Sequence, residues 1–192
     1  MAGDAFAEAG FAATSMEDIA VRAGVTRMLI YRYYQSKEDL YRSVLDQVAE
    51  TLIANLRSLG QVCARDIVQA HFDTAREHPG GYRLLWGPAR FDPVVAEHGT
   101  AVEQRIRELS MRILEPCVSL SGAELRWAAR VVGDVLVDLT SAWLDDRDQL
   151  DVEEIVALAA DGLEGLWAPW CAVTGRDDGE LAARRLPRSP GA

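Results

Sequence analysis

The stretch from Ile19 to Lys37 contains no acidic residue, but it carries four basic ones, namely Arg22, Arg27, Arg32 and Lys37. Three tyrosines lie within its last seven positions. Guanidinium, ammonium and phenol groups donate hydrogen bonds to phosphate oxygens. An arginine side chain can also donate two hydrogen bonds to O6 and N7 of guanine. These residue types therefore indicate a surface that contacts nucleic acid.

The chain as a whole is acidic, with 20 Lys+Arg against 30 Asp+Glu and a formal net charge of −10 over 192 residues. This balance argues against general adhesion to nucleic acid, so the basic window is a local feature. No apolar run reaches the roughly 18 residues of a membrane span. The three cysteines are far apart, which supports neither a disulfide framework nor a zinc ribbon. We expect a cytoplasmic protein with no membrane partner, metal or cofactor.

Helix signals surround the basic window. Ser15 with Asp18 forms a capping pattern, and Gly24 is suited to end the helix that follows. Thr26 can cap a second short helix over residues 27–34, and Ser36 opens a longer helix reaching Leu59. Two short helices joined at a glycine predict a helix-turn-helix, whose second helix enters the major groove of DNA.

Spacing along the second helix separates its faces. Ile30 and Tyr34 are expected to face inward with Val25, and aromatic packing of a small three-helix module is an alternative use for Tyr34 and part of Tyr31. The side chains expected to face outward are Arg27, Met28, Tyr31, Arg32 and Tyr33.

Residues Phe6 to Leu45 resemble the DNA-binding segment of the TetR family of bacterial transcriptional regulators. The residues that carry the resemblance are Gly10-Phe11, Thr14, Ile19-Ala20, Ala23-Gly24-Val25, Tyr31, Tyr34, Ser36-Lys37 and Leu40. The resemblance implies an all-α protein, with an N-terminal three-helix helix-turn-helix module followed by a helical ligand-binding and dimerisation domain. It also implies a homodimer that binds an inverted-repeat operator in double-stranded DNA and is released by a small apolar ligand, most often as a repressor.

The resemblance also assigns roles by position. Arg27, Met28 and Leu29 match positions that meet base edges. Thr26, Tyr31, Tyr33 and Lys37 match positions that meet the phosphate backbone.

Two departures from the family pattern open an alternative. Met28 and Leu29 are bulky where the family usually has small residues or threonine, so they either pack on thymine methyls or obstruct the groove. The family also has a basic arm and about two more helical turns before Phe6, so we expect the true start to lie upstream of Met1. A helical small-molecule-binding protein that has lost DNA binding is the second hypothesis.

The remaining sequence predicts further helices. We expect three regions: a helix-turn-helix domain at 1–45 with a shortened first helix, a helical ligand-binding and dimerisation domain at 46–174, and a disordered tail at 175–192. A helix over 61–78 is expected to close at Pro79-Gly80-Gly81 and to be followed by a short aromatic turn at 82–86. Asp92-Pro93 is expected to head a short helix ending near Gly99, with a separate longer helix starting at Thr100.

A helix over 123–144 is apolar on most of its surface, and the helix after Asp151 repeats the pattern. We expect the two to form a four-helix dimer seam with a partner subunit, with a plain intramolecular core as the alternative. The predicted interface residues are Val132, Leu136, Leu139, Trp143, Val156, Leu163 and Trp167.

The ligand pocket is expected among the middle helices. Its candidate residues are His71, Tyr82, Trp86, Arg105 and Met111. An enzyme is not expected, because the sequence has no phosphate-cradling glycine loop, nucleophile elbow or paired catalytic carboxylates.

Overall fold

The computed structural model describes residues 1–59, 63–87 and 92–171, and in these ranges the chain is helical without any strand. The predicted tail at 175–192 lies outside them. A short 3-10 turn at Glu115–Cys117 follows α7, because Pro116 has no backbone N–H with which to continue the α-helix. The helices are α1 (Ala2–Ala13), α2 (Met16–Ala23), α3 (Arg27–Tyr33), α4 (Lys37–Arg57), α5 (Ala64–Glu77), α6 (Pro79–Trp86), α7 (Ala96–Leu114), α8 (Gly122–Asp146) and α9 (Val152–Cys171).

The predicted helix-turn-helix is confirmed in α2 and α3. The Ser15 hydroxyl accepts from the Asp18 backbone N–H, and the Asp18 carboxylate accepts from the Ser15 backbone N–H, so both ends of the capping box are present. Gly24 ends α2 with a φ of 66°, a left-handed conformation that glycine adopts without a steric penalty. The Thr26 hydroxyl then accepts from the Leu29 backbone N–H and begins α3.

An aromatic cluster holds α1 against the start of α4. The ring centroids of Phe6 and Tyr41 lie 4.9 Å apart, and those of Phe11 and Tyr41 lie 5.3 Å apart, both pairs edge to face. Gly10 breaks the helical geometry of α1 with a φ of 80°, which lets Phe11 turn back onto this cluster. Short as it is, α1 is therefore stabilised by tertiary packing rather than by its own propensity.

One helix joins the two predicted domains. α4 runs unbroken from Lys37 to Arg57, so the boundary expected at residue 45 falls inside a continuous helix. Its buried face contacts the aromatic cluster at one end and the helical domain at the other, where Leu52 and Leu56 are buried.

Two predicted helix boundaries are wrong. The sequence Pro79-Gly80-Gly81 begins α6 instead of merely ending α5, because Pro79 occupies the first turn, where its missing N–H costs nothing. Residues 82–86 are thus helical rather than a turn. Further on, α7 passes through Gly99 without interruption, whereas we expected two helices there.

The glycines of α6 permit an unusually close approach to α1. A Cβ at Gly3 would lie 2.8 Å from the Gly81 nitrogen, and one at Gly80 would collide with the backbone of Asp4. The Gly80 backbone N–H also hydrogen-bonds to the Asp4 carboxylate, a favourable position for a negative charge at a helix N-terminus. Backbone contact without intervening side chains therefore joins the helix-turn-helix module to the helical domain.

A buried polar network crosses the helical domain. Nδ1 of His71 on α5 lies 2.8 Å from the hydroxyl of Tyr82 on α6, which is also hydrogen-bonded to Thr140 on α8. Thr140 in turn donates to the Leu136 carbonyl at 2.7 Å. Burial lowers the pKa of His71 to about 4 and raises the pKa of Tyr82, so both side chains are neutral near pH 7.

None of the helices in the described ranges is both long enough and apolar enough to cross a membrane.

Gly80→Ala should destabilise the protein by about 1–3 kcal/mol, because the new methyl group forces α1 and α6 apart. The matched control is Gly165→Ala on α9, where a Cβ would meet no atom within 4 Å. That change should be neutral or stabilising by about 0.5–1 kcal/mol, as expected for alanine in a helix. Urea unfolding measures both variants, and equal stabilities would contradict the close α1–α6 contact.

His71 should make stability fall on mild acidification. The unfolded state takes up a proton below its ordinary pKa of 6.5, whereas the folded state resists until about pH 4. From pH 7.5 to pH 5.5 the free energy of unfolding should therefore drop by about 1 kcal/mol more than in His71→Gln. Chemical denaturation of both proteins at each pH measures the difference, and parallel pH profiles would refute the buried neutral imidazole.

Candidate nucleic-acid interface

α3 presents a basic and aromatic face to solvent. Met28 is 82% exposed and Tyr33 is 66% exposed, and neither packs into the core. Only Ile30 of this helix is buried; Tyr34, which follows it, is half-buried against the core. Val25, which we expected to face inward with them, is 37% exposed.

The arginines of this face are paired with tyrosines rather than with acids. The Arg27 guanidinium lies 5.2 Å from the ring centroid of Tyr31 and donates to its hydroxyl at 3.4 Å. Arg32 lies 4.9 Å from the Tyr33 ring centroid and donates to that hydroxyl at 2.8 Å. Because no carboxylate neutralises either arginine within the described residues, both keep a full positive charge at the surface.

The other predicted contact residues differ in their exposure. Thr26 is exposed at the start of α3, where its hydroxyl caps the helix, and Leu29 is half-buried. Lys37 has a structural partner: its Nζ donates to the Phe11 carbonyl at 2.7 Å and the Thr14 carbonyl at 2.9 Å. The ammonium also lies 4.3 Å from the Phe11 ring centroid. Lys37 thus ties α4 to the end of α1, with one N–H left for another acceptor.

The five predicted pocket residues lie at different places in the helical domain. His71 and Tyr82 are buried in the polar network, and Arg105 is exposed and paired with Glu50. Trp86 lines a cleft of about 570 Å³ between α6, α7 and α8, whereas Met111 lines a neighbouring groove of about 420 Å³ between α7 and α8. Local sequence patterns could not show which of these helices are neighbours.

The cleft and the groove share two arginines and form one continuous depression. Arg107 and Arg130 line both parts. Across the cleft, Arg83 of α6 donates to Asp145 of α8 at 2.7 Å, which joins these two helices. This cluster is not predictable from local sequence patterns, because its members are spread over more than sixty positions. The only sequence signal was the repeat of charged residues every four positions along α8.

The predicted dimer residues are mostly used within the subunit. Leu139 is half-buried, and the other six are buried in the intramolecular core: Val132, Leu136, Trp143, Val156, Leu163 and Trp167. The apolar surface that α8 and α9 leave open is a groove of about 500 Å³ beside them. Leu158, which is 69% exposed, lies on its α9 side, and Val135 and Leu139 lie on its α8 side.

Residues 2–44 match the family described as bacterial regulatory proteins of the tetR family. The chain is 27% identical over 162 residues to the HTH-type transcriptional activator FasR of Mycolicibacterium smegmatis, covering 81% of this chain and 74% of that protein. It is 31% identical over 87 residues to the HTH-type transcriptional regulator RutR of Escherichia coli, covering 43% of this chain and 41% of RutR.

The fold is similar to the TetR-family regulator PfmR of Thermus thermophilus, with a TM-score of 0.66 and 22% identity over 84% of this chain and 93% of PfmR. The N-terminal sequence match covers the helices that form the helix-turn-helix, and the structural likeness extends over the helical domain. Residues 2–44 therefore form a helix-turn-helix module of the tetR family of bacterial regulatory proteins, and the chain is similar over most of its length to an HTH-type transcriptional regulator.

Proposed function

We propose that this protein is a homodimeric, ligand-responsive repressor that acts in the cytoplasm and binds an inverted-repeat operator. The observation that carries the proposal is the exposed face of α3 on an acidic protein. Two arginines and two tyrosines lie on this face, and no acidic side chain of the described ranges pairs with them. Such a face attracts the phosphate backbone locally, while the net charge of −10 repels DNA elsewhere.

Within this interface, the residues divide between base and backbone contacts. Arg27 and Met28 stand at the first turn of α3, the part of a recognition helix that contacts base edges. Arg27 would grip guanine, and the exposed Met28 would pack on a thymine methyl. Arg32 and Tyr33, at the other end of α3, would meet phosphates, together with Thr26 and Tyr31. Leu29 is half-buried and Lys37 donates to main-chain carbonyls, so we assign both residues smaller roles in DNA binding.

The α8–α9 groove is the surface that a second copy of this chain would cover. Its lining is largely apolar, from Val135 and Leu139 on one side to Ile155 and Leu158 on the other. Two-fold pairing of this surface would cover both grooves at once and would form the four-helix arrangement of a bundle. A dimer also places two recognition helices about 34 Å apart, in successive major grooves.

The ligand would enter the depression between α6, α7 and α8. α6 connects this site to DNA binding, because its Arg83 and Trp86 line the cleft while its Gly80 contacts α1. A small, largely apolar molecule that separates Arg83 from Asp145 would shift α6, and with it the backbone of α1. A coupling of about 1–3 kcal/mol is typical of such a switch.

A small-molecule-binding protein without DNA binding is the second candidate. The bulky, fully exposed Met28 favours it, since a long side chain there can hinder close approach to the groove. FasR is named as a transcriptional activator, so the sign of regulation needs its own measurement. Transcription from a template with the selected site should fall when the protein is added, whereas a rise would overturn repression.

Selection of bound duplexes from a random DNA pool should enrich an inverted repeat. Arg27→Ala should then relax the preference at one position of each half-site, at a cost of about 1–3 kcal/mol. Arg32→Gln should weaken binding to all DNA sequences. It should also lower the slope of the logarithm of the binding constant against the logarithm of salt concentration by about 1 for each lost phosphate contact. Arg57→Gln, which removes the same charge at the far end of α4, is the control. No enriched site, or an unchanged site for Arg27→Ala, would refute the assigned roles.

Leu158→Glu should convert the dimer to a monomer, because it places a carboxylate in the centre of the apolar α8–α9 surface. Sedimentation at several protein concentrations measures the assembly state. Since Leu158 is exposed in the subunit, the fold should be unaffected, which helical circular dichroism checks. Val94→Glu, at an exposed apolar residue ahead of α7, is the matched control. A dimer that survives Leu158→Glu would exclude this surface.

A further inference from the structure

We propose that the α7–α8 groove selects amphiphilic ligands that carry one anionic head group on an apolar chain. The proposal rests on the ligand responsiveness proposed above and names the ligand class. The arginines of the groove would hold the head group, and the apolar crevice beneath the groove would receive the chain.

The charge of the groove is unbalanced toward positive. Its walls carry Arg107 from α7 and Arg126 and Arg130 from α8, against a single carboxylate, that of Glu103. Arg107 donates from Nε to that carboxylate at 2.9 Å, and it reaches Asp134 at 3.3 Å. Three guanidinium groups thus line the groove with one carboxylate, and Asp134, beside the groove, is shared between Arg107 and Arg130.

Arg126 and Arg130 make few contacts with acidic side chains of the protein. Arg130 has its Nε 3.5 Å from Asp134, which is longer than a hydrogen bond, and its side chain is largely exposed. Arg126, one turn earlier on the same face of α8, has no carboxylate within ion-pair distance in the part of the chain that the structure describes. Both guanidinium groups can thus turn to a bound carboxylate or phosphate, which they would hold by charge-assisted hydrogen bonds.

Directly beneath the groove lies an apolar crevice. Ala129 lines both, and Leu56, Ile67 and Ile113 close the crevice from α4, α5 and α7. The single hydroxyl in its wall, that of Ser110, already donates to the Ile106 carbonyl at 3.0 Å. The side chains that line the crevice therefore offer a ligand no free hydroxyl hydrogen, and their largely apolar character suits an alkyl chain.

The crevice is nearly closed, with a volume of about 20 Å³, so a chain must widen it. Gly133 lies in its wall, one turn after Ala129, and a Cβ there would meet no atom within 4 Å. Ala129 and Gly133 are the smallest residues in the crevice wall, and Ala129 is also part of the groove. A chain that enters would separate α7 from α8, while its head group competes with Asp134 for Arg107 and Arg130.

The test compares decanoate, decanol and acetate as probes of the full-length protein by isothermal titration calorimetry. Decanoate should bind about tenfold more tightly than decanol, because only decanoate makes charge-assisted contacts. Acetate should bind too weakly to detect, since it lacks the chain. The double variant Arg126→Gln/Arg130→Gln should abolish the advantage of decanoate over decanol. Arg65→Gln/Arg147→Gln, with the same loss of charge at exposed sites outside the groove, should preserve it.

Gly133→Ala tests the crevice separately. Its methyl group should fill the crevice and lower the affinity for decanoate several-fold. Gly165→Ala on α9 should leave that affinity unchanged. Equal affinities for decanoate and decanol, no binding of either, or insensitivity to the groove arginines would each overturn the proposed ligand class.

The same decanoate titration against the protein bound to its selected operator separates the two proposals. Release of DNA supports both proposals. Decanoate binding that depends on the groove arginines but leaves DNA affinity unchanged supports the ligand class and refutes its role in regulation. DNA binding with no decanoate binding refutes the ligand class and leaves operator recognition standing.

Discussion

The close approach of the α1 and α6 backbones is the contact on which the arrangement of this protein depends. A Cβ at Gly3 or at Gly80 would displace the backbone of the other helix, so the two helices meet main chain to main chain. Packed backbones transmit displacement more directly than long, flexible side chains do. A displacement of α6 would therefore act on the backbone of α1 in the helix-turn-helix module, and α4 runs through both parts.

The arginines of α3 and several arginines of the helical domain differ in the side chains that they contact. On α3 the arginines stack on tyrosines and keep their charge, whereas on the helical domain arginines such as Arg83 and Arg107 are paired with carboxylates of neighbouring helices. Tyrosine partners orient a guanidinium without neutralising it. Arg126 has no carboxylate partner among the described residues, and Arg130 is paired loosely, with its Nε 3.5 Å from Asp134. Their place one turn apart on α8, beside Arg107, distinguishes the α7–α8 groove from an ordinary ion-paired surface.

Much of the local structure follows from residue type, while the errors have identifiable causes. The capping box at Ser15, the left-handed Gly24 and the Thr26 cap each depend on neighbours within four positions, so the pattern was sufficient. Pro79-Gly80-Gly81 has two valid interpretations, an end or a beginning of a helix. Tertiary contact with α1 selects the second one. Gly99 is likewise tolerated inside α7 because it is buried against other helices, a fact that no local rule contains.

The sequence by itself determined the helical class, the helix-turn-helix with its basic recognition helix, and the apolar character of α8 and α9. Only the tertiary structure decided which apolar residues of α8 and α9 are buried within the subunit. Trp143 and Leu163 are buried within the subunit, whereas Leu158 remains exposed. It also decided that Arg107, Arg126 and Arg130 share one groove while His71 and Met111 do not share one pocket. The physical reason is that helical periodicity specifies which side chains share a face of one helix, whereas burial and charge pairing depend on which other helix lies against that face.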